Sequence, residues 1–229
     1  MRRYLSKALN IIKWIAIVFF SSTIFVVLLY TFIDPPLTPL MLKRVFEQKI
    51  DGREAKIEKQ WVDIEKVSPN MVLALVSAED NKFTDHFGID LDAIEKAQKH
   101  NKRSKRKWGA STISQQTAKN VFLWPNRSWV RKGFELYFTT LIEIIWSKKR
   151  IMEVYVNVIE MGDGIYGVEA ASQKYFKKKS LKLSRSESAL LTSILPSPLK
   201  RNPMKPTPYM YRYQKRVLGI MDKIGRVDF

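Results

Sequence analysis

Residues 14–33 read WIAIVFFSSTIFVVLLYTFI, twenty positions without a charge. A helix rises about 1.5 Å per residue, so this run spans about 30 Å, the hydrocarbon thickness of a bilayer. A buried core helix would show a polar stripe, and here only Ser21, Ser22 and Thr23 interrupt. A cleavable signal would be shorter and would end in a small-x-small site, which does not follow. The run is predicted to be an uncleaved transmembrane helix.

Beyond it, Asp34-Pro35-Pro36-Leu37-Thr38-Pro39 reads as a stiff spacer. Residues 40–67, of mixed charge, suggest a short helix and an extended connection. Ser68-Pro69 has the form of a helix start, with Ser at the N-cap and Pro at the first position. The almost wholly apolar positions 71–78 then predict a buried helix that delivers Glu79 and Asp80 at its end. Carboxylates in such a place need a reason. The basic run 99–107 (KHNKRSKRK) is expected to be a solvated loop. A helix is expected over 109–123, opening at Ser111-Thr112. Ser128 caps a long amphipathic one whose apolar stripe is Trp129, Phe138, Leu141, Ile142 and Ile145. Its pattern runs on towards Val158 and stops at Gly162 and Gly164. Ser184-Arg-Ser-Glu187 is a capping box leading into an apolar segment closed by Pro196 and Pro198. A last helix is predicted over about 208–224. No strand-like alternation of any length occurs, and the fold class is mainly α.

Charge refines this picture. The chain of 229 residues carries a formal net charge of +18. Arg2, Arg3, Lys7 and Lys13 precede the apolar run and Asp34 follows it. The positive-inside tendency therefore puts the N-terminus in the cytoplasm and everything after Asp34 outside. The external part keeps +14. Nucleic acid is absent there, so the expected partners are anionic headgroups and lipid-linked phosphates. The absence of cysteine excludes disulfides and thiolate metal sites, and two histidines leave too few ligands for zinc. The domain reading is a tail (1–13), an anchor (14–33), a linker or juxtamembrane segment (34–59) and one globular domain (60–229).

Five motifs stand in the globular part. They are Glu79-Asp80-x-x-Phe83-x-x-His86-x-Gly88; Gly109-x-Ser111-Thr112-x-x-Gln115-Gln116 with Lys119-Asn120; Arg131-Lys132-x-x-Glu135; Lys148-x-x-Ile151-Met152-Glu153-x-Tyr155-Val156-Asn157; and Ala189-Leu190-Leu191 leading to Pro196. Other matches are incidental. Gly162-x-Gly164-x-x-Gly167 follows a helical stretch instead of a strand. S-x-x-K at 104–107 and 197–200 has no K-T-G partner.

In this order and spacing the five motifs resemble glycosyltransferase family 51, the peptidoglycan glycosyltransferases, over about residues 60–200. Met152 and Val156 stand where that family usually has Leu, mild apolar exchanges. The resemblance implies a lysozyme-like helical domain with two lobes and a groove, at the outer face of a bacterial cytoplasmic membrane. It implies polymerisation of lipid II into β-1,4-linked glycan strands with release of undecaprenyl diphosphate. No transpeptidase activity is expected. The implied partners are lipid II, the nascent glycan chain, membrane lipids, and other cell-wall synthesis or division proteins.

The chemistry such a reaction needs can be matched to residues. A sugar hydroxyl is a weak nucleophile and requires a positioned base. A carboxylate at the end of an apolar helix has a raised pKa and is a better base, which describes Glu79. The resemblance gives Glu79 the same role. The leaving diphosphate accumulates negative charge and requires fixed cations. Lys119 and Arg127 are candidates, and the family pattern puts diphosphate-binding residues at these positions. By resemblance Glu135 is the second acid of the site. Arg131 pairs with it one turn earlier and Lys132 lies beside it. Whether Glu135 orients a cation or holds Mg²⁺ or Mn²⁺ stays open, and no other cofactor is expected. Ser111, Thr112, Gln115, Gln116 and Asn120 are expected to hydrogen-bond the donor sugar or the fold. Asp80, Phe83, His86, Gly88 and Glu153 are expected to brace the site. Two other functions are weighed: a membrane-bound lytic enzyme that cleaves glycan strands, and a non-catalytic scaffold for wall assembly.

Overall fold

The computed structural model describes residues 2–104 and 107–229, and it divides into two units, residues 1–34 and 35–229. The first is a single helix, α1 (Arg2–Phe32). Its apolar section, Leu9–Phe32, is long enough to cross a membrane. Thr23 and Ser22 return their hydroxyls to the Phe19 carbonyl, so these polar groups need no solvent. The helix continues through the positions expected as a separate tail.

The second unit begins with the segment expected to be a linker, and that segment is structured. Thr38 caps α2 (Pro39–Ile50), and the helix is fastened to the rest. Arg44 Nε donates to Glu160 at 2.7 Å, and Gln48 Nε2 donates to Asp163 at 2.9 Å. Met41 is fully buried, so the attachment of α2 combines an apolar anchor with these polar ties. One face of it, Leu42, Phe46 and Ile50, is exposed. After it come β1 (Glu58–Lys59), a 3-10 turn (Ile64–Lys66) and α3 (Pro69–Glu79). Ser68 stands at the N-cap of α3 as expected, yet its hydroxyl donates to the Leu183 carbonyl and makes no cap bond.

Helix α4 (Leu91–Arg103) takes in much of the basic run that was expected as a loop. Cations suit the C-terminal turns of a helix because they face its negative dipole end. Positions 105 and 106 of that run lie outside the described residues. Then follow α5 (Ile113–Phe122), α6 (Trp129–Ile145) and α7 (Lys148–Val158). The long helical pattern breaks at Trp146, and Ser147 starts α7 by accepting from the Arg150 N–H. Trp129, expected in the apolar stripe of α6, is 92 % exposed, whereas Phe138 and Ile142 are buried. It sits on the first turn, beyond the reach of α5.

Two short strands, β2 (Glu160–Gly162) and β3 (Ile165–Tyr166), form a hairpin, and β1 adds parallel to β3. These strands are too short to show alternation. The Gly164 of the incidental glycine motif serves this hairpin: its φ is +69°, and a Cβ there would lie 2.7 Å from the Lys56 carbonyl oxygen. Helices α8 (Val168–Phe176), α9 (Arg185–Thr192) and α10 (Pro208–Ile224) complete the chain. The Ser184–Glu187 capping box is present.

The helices pack in two groups. Helix α3 lies against α9 and α10 around Leu73, Ala74, Ala189, Tyr213, Val217 and Met221. Helix α5 lies against α6 and α7. The N-terminus of α5 joins the groups. Thr112 and Gln115 form a reciprocal capping box, and the Thr112 hydroxyl also donates to the Gly88 carbonyl at 2.7 Å. Thr112→Ala removes both bonds in a buried place and is expected to cost about 1–2 kcal/mol of unfolding free energy. Urea titration of the wild type, T112A and T112S checks this, with T112S retaining most of the stability.

Candidate active site

Helix α3 is buried from Met71 to Ser77, and this burial drives its C-terminal turn into the interior with Glu79 at the end. Glu79 itself is part-buried. Gln116 Nε2, on α5, donates to Glu79 Oε2 at 2.8 Å. Behind it the Tyr155 hydroxyl, on α7, donates to Gln116 Oε1 at 3.3 Å. Three helices thus fix one carboxylate. Burial pushes the Glu79 carboxyl above the ordinary range. The Gln116 bond, then Lys119 and Arg216, pull it partly back, and Asp80 pushes it up again. A raised carboxylate with one amide partner is a base in want of a proton.

Asp80 is the C-cap of α3, and its carboxylate is spent on the scaffold. It accepts the Ile113 N–H at 3.0 Å, fixing the start of α5, and lies 2.9 Å from His86 Nε2. Phe83 is fully buried, with the Lys148 ammonium 4.7 Å from its ring centre. Gly88 has φ +74°, and a Cβ there would lie 2.7 Å from Thr139 Cγ2, so any side chain would push the loop off α6. These residues brace the loop after Glu79.

Glu79 and Asp80 line a cavity of about 300 Å³ together with Gly109, Ser111, Thr112, Lys96 and Arg216. A second cavity, of about 520 Å³, is lined by Ser111, Lys119, Asn120, Arg127, Arg131, Lys132, Glu135, Arg44 and Glu160. Ser111 belongs to both. The second cavity gathers five cationic side chains against two carboxylates, an excess that calls for an anion. Glu135 is only 3 % exposed. Arg131 Nη1 donates to it at 2.6 Å, and Lys132 engages its other oxygen. Burial lowers the Lys119 ammonium from the ordinary lysine range. Glu135 acts against that, Arg131 adds to it, Glu79 opposes it and Arg127 adds to it again.

The structure brings together Glu79, Gln116 and Ser111, and it gathers Lys119, Asn120, Arg127, Arg131, Lys132 and Glu135. It assigns Thr112 and Gln115 to the capping box, so they serve the fold. Glu153 turns away to the Ile64 N–H at 3.0 Å and to Arg150, tying α7 to the 3-10 turn. Arg216, Arg44 and Glu160 line the two cavities and Tyr155 stands behind Gln116, and none of these carried an expected role. Tyr155 was visible as part of a motif; the others lie outside any motif. With both Glu135 oxygens already held by cations, a metal ion there would have to displace Arg131 or Lys132. Among the described residues no group of three His, Cys, Asp or Glu side chains is arranged to hold one.

Comparison with known proteins identifies the family. A family model described as Transglycosylase matches residues 46–222. The chain is 49 % identical to a biosynthetic peptidoglycan transglycosylase of Bacteroides thetaiotaomicron, covering 97 % of this chain and 90 % of that one. It is 52 % identical to the protein so named in Bdellovibrio bacteriovorus, over 90 % of this chain and 84 % of the other. With the one from Caulobacter vibrioides it shares 47 %, over 100 % and 99 %. The chain belongs to the transglycosylase family, and its helical unit is the lysozyme-like domain of that family.

Glu135→Gln leaves Arg131 buried without a counter-charge and is expected to destabilise the domain by about 3 kcal/mol. Thermal and urea unfolding of the variant checks this, and Arg131→Met combined with E135Q is expected to recover part of the loss.

Proposed function

We infer that this chain is a peptidoglycan glycosyltransferase of cell-wall synthesis that polymerises lipid II, with Glu79 as the base and the five-cation cavity as the diphosphate site. The chemistry follows from the residues. The 4-hydroxyl of the acceptor sugar gives its proton to Glu79 as its oxygen bonds to the donor C1. The bond from C1 to the diphosphate breaks, and its electron pair leaves with the diphosphate. Lys119 and Arg127 hold the growing charge, Arg by a fork of donors and Lys as a point charge. One displacement on an α-linked donor gives a β linkage, so the enzyme inverts.

This reading rests on the meeting of the two cavities at Ser111, a proton acceptor on one side and an anion site on the other. A lytic enzyme would need an acid to protonate a departing sugar. A diphosphate leaves without a proton, and the cationic cavity is suited to that leaving group. Any divalent ion would then travel with the diphosphate, because Glu135 is committed to Arg131 and Lys132.

The apolar helix α1 fits a single-pass anchor. The cations before it and Asp34 after it support a cytoplasmic N-terminus and an external catalytic unit in a bacterial cytoplasmic membrane. The exposed row Leu42, Phe46 and Ile50, on a basic unit, supports contact with the membrane surface as well.

Glu79→Gln is expected to abolish strand formation from labelled lipid II while the melting temperature stays within a few degrees of wild type. Full turnover in this variant would sink the assignment, and digestion of finished sacculi by the wild type would favour the lytic alternative. The pH–rate profile is expected to be narrowed on both sides. The rate falls at acid pH once the raised Glu79 is protonated, and at alkaline pH once the lowered Lys119 loses its charge. In Lys119→Arg the alkaline limb is expected to recede to higher pH, because arginine stays charged throughout.

A further inference from the structure

The cavity beside Glu79 has a cation on its far wall that no motif contains. Arg216 projects from α10 and lines the same cavity as Glu79. Its guanidinium lies 4.6 Å from the ring centre of Tyr213. That ring is buried in the core formed with Leu73, Val217 and Met221, so it is a fixed platform. Arg216 itself is exposed, and among the described residues it makes no ion pair. The groups that face Glu79 from each packed element can be named: Asp80 beside it, Gln116 and Lys119 from α5, Tyr155 from α7, and Tyr213 and Arg216 from α10. Asp90, Lys96 and Lys82 complete the cavity wall, with Lys82 paired to Asp92 at 2.6 Å. Two cations therefore act on Glu79. Lys119 also lines the cavity read as the diphosphate site. Arg216 is held by Tyr213 and, among the described residues, pairs with no carboxylate.

We propose that Arg216 is a positioning residue for the reaction: stacked on Tyr213 at the wall of the Glu79 cavity, it supplies the base with a positive neighbour that stays in place when Lys119 engages the leaving group. The inference rests on the reading of Glu79 as the base. It also gives α10 a part in the chemistry beyond packing, since the helix's buried face builds the core and its exposed edge carries the charge. The effect of Arg216 on Glu79 is to draw it down against burial. Removing the charge therefore moves the ionisation of Glu79 to higher pH.

The test is the pH dependence of kcat/KM with lipid II, for wild type, Arg216→Gln, Arg216→Met and Arg216→Lys in the full chain. Met keeps an apolar stem over Tyr213 without the charge, and Lys keeps a charge. In R216Q and R216M the acid limb is expected to move up by about half to one pH unit, a loss of about three- to tenfold on the acid side that disappears on the alkaline side. In R216K the limb stays near wild type. An acid limb unmoved in R216Q and R216M overturns the proposal. So does an equal loss at every pH in all three variants, since that marks a merely structural role. Glu79→Gln separates the two levels of inference. If it is inactive at every pH while the R216Q limb is unmoved, only the role of Arg216 fails. If it keeps activity with an acid limb, the reading of the base fails first.

Discussion

A carboxylate that takes a proton from a sugar hydroxyl must be stripped of enough water to be basic, yet stay open to its substrate. Most of this domain is arranged around that compromise at Glu79. The apolar positions of α3 bury the helix to its last turn, and burial is the largest influence on the carboxyl. One side-chain amide, Gln116, orients it from α5. Burial by itself pushes the Glu79 carboxyl further up. The cations Lys119 and Arg216 oppose this and draw the carboxyl part of the way back. Neither influence suffices alone, and their balance defines a base.

The same reasoning explains why so many neighbouring polar residues are structural. An uncompensated charge close to Glu79 would upset the balance, so the nearest one, Asp80, is consumed by the Ile113 N–H and by His86. This bond also sets where α5 begins, and the Thr112–Gln115 capping box completes that start. The position of Lys119, two turns along α5, then follows. The bracing of the base and the placing of the diphosphate cations are thus consequences of one helix start. In the second cavity the buried acid Glu135 holds Arg131 and Lys132 in place, preformed for an anion. Preformed cations cost no reorganisation when charge develops on a leaving group.

Much of the site was legible in the sequence because its parts are local. Ser184 with Glu187, or Arg131 with Glu135, lie one turn apart, and such pairs are fixed by helix geometry. Ordered motifs carried the rest. Tyr155 stood in a motif without a role, since its link to Gln116 joins positions remote in the chain. Arg216 and Arg44 gave no signal: each is one cation among the forty of a strongly basic chain. Trp129 misled in the other direction. Its spacing matched the apolar face of α6, but nothing packs over that first turn.

By itself the sequence determined the long apolar run, the helical class, the starts of α3, α6, α9 and α10 and the acid at the end of α3. These depend on burial patterns and caps within a few residues of each other. Only the tertiary structure decided that residues 35–59 fold with the catalytic unit, because Arg44–Glu160 and Gln48–Asp163 are ties across more than a hundred positions. It alone turned Thr112 and Gln115 inward and set Arg216 beside Glu79. Such choices depend on which polar groups find partners once distant helices meet, and no periodicity along the chain records that.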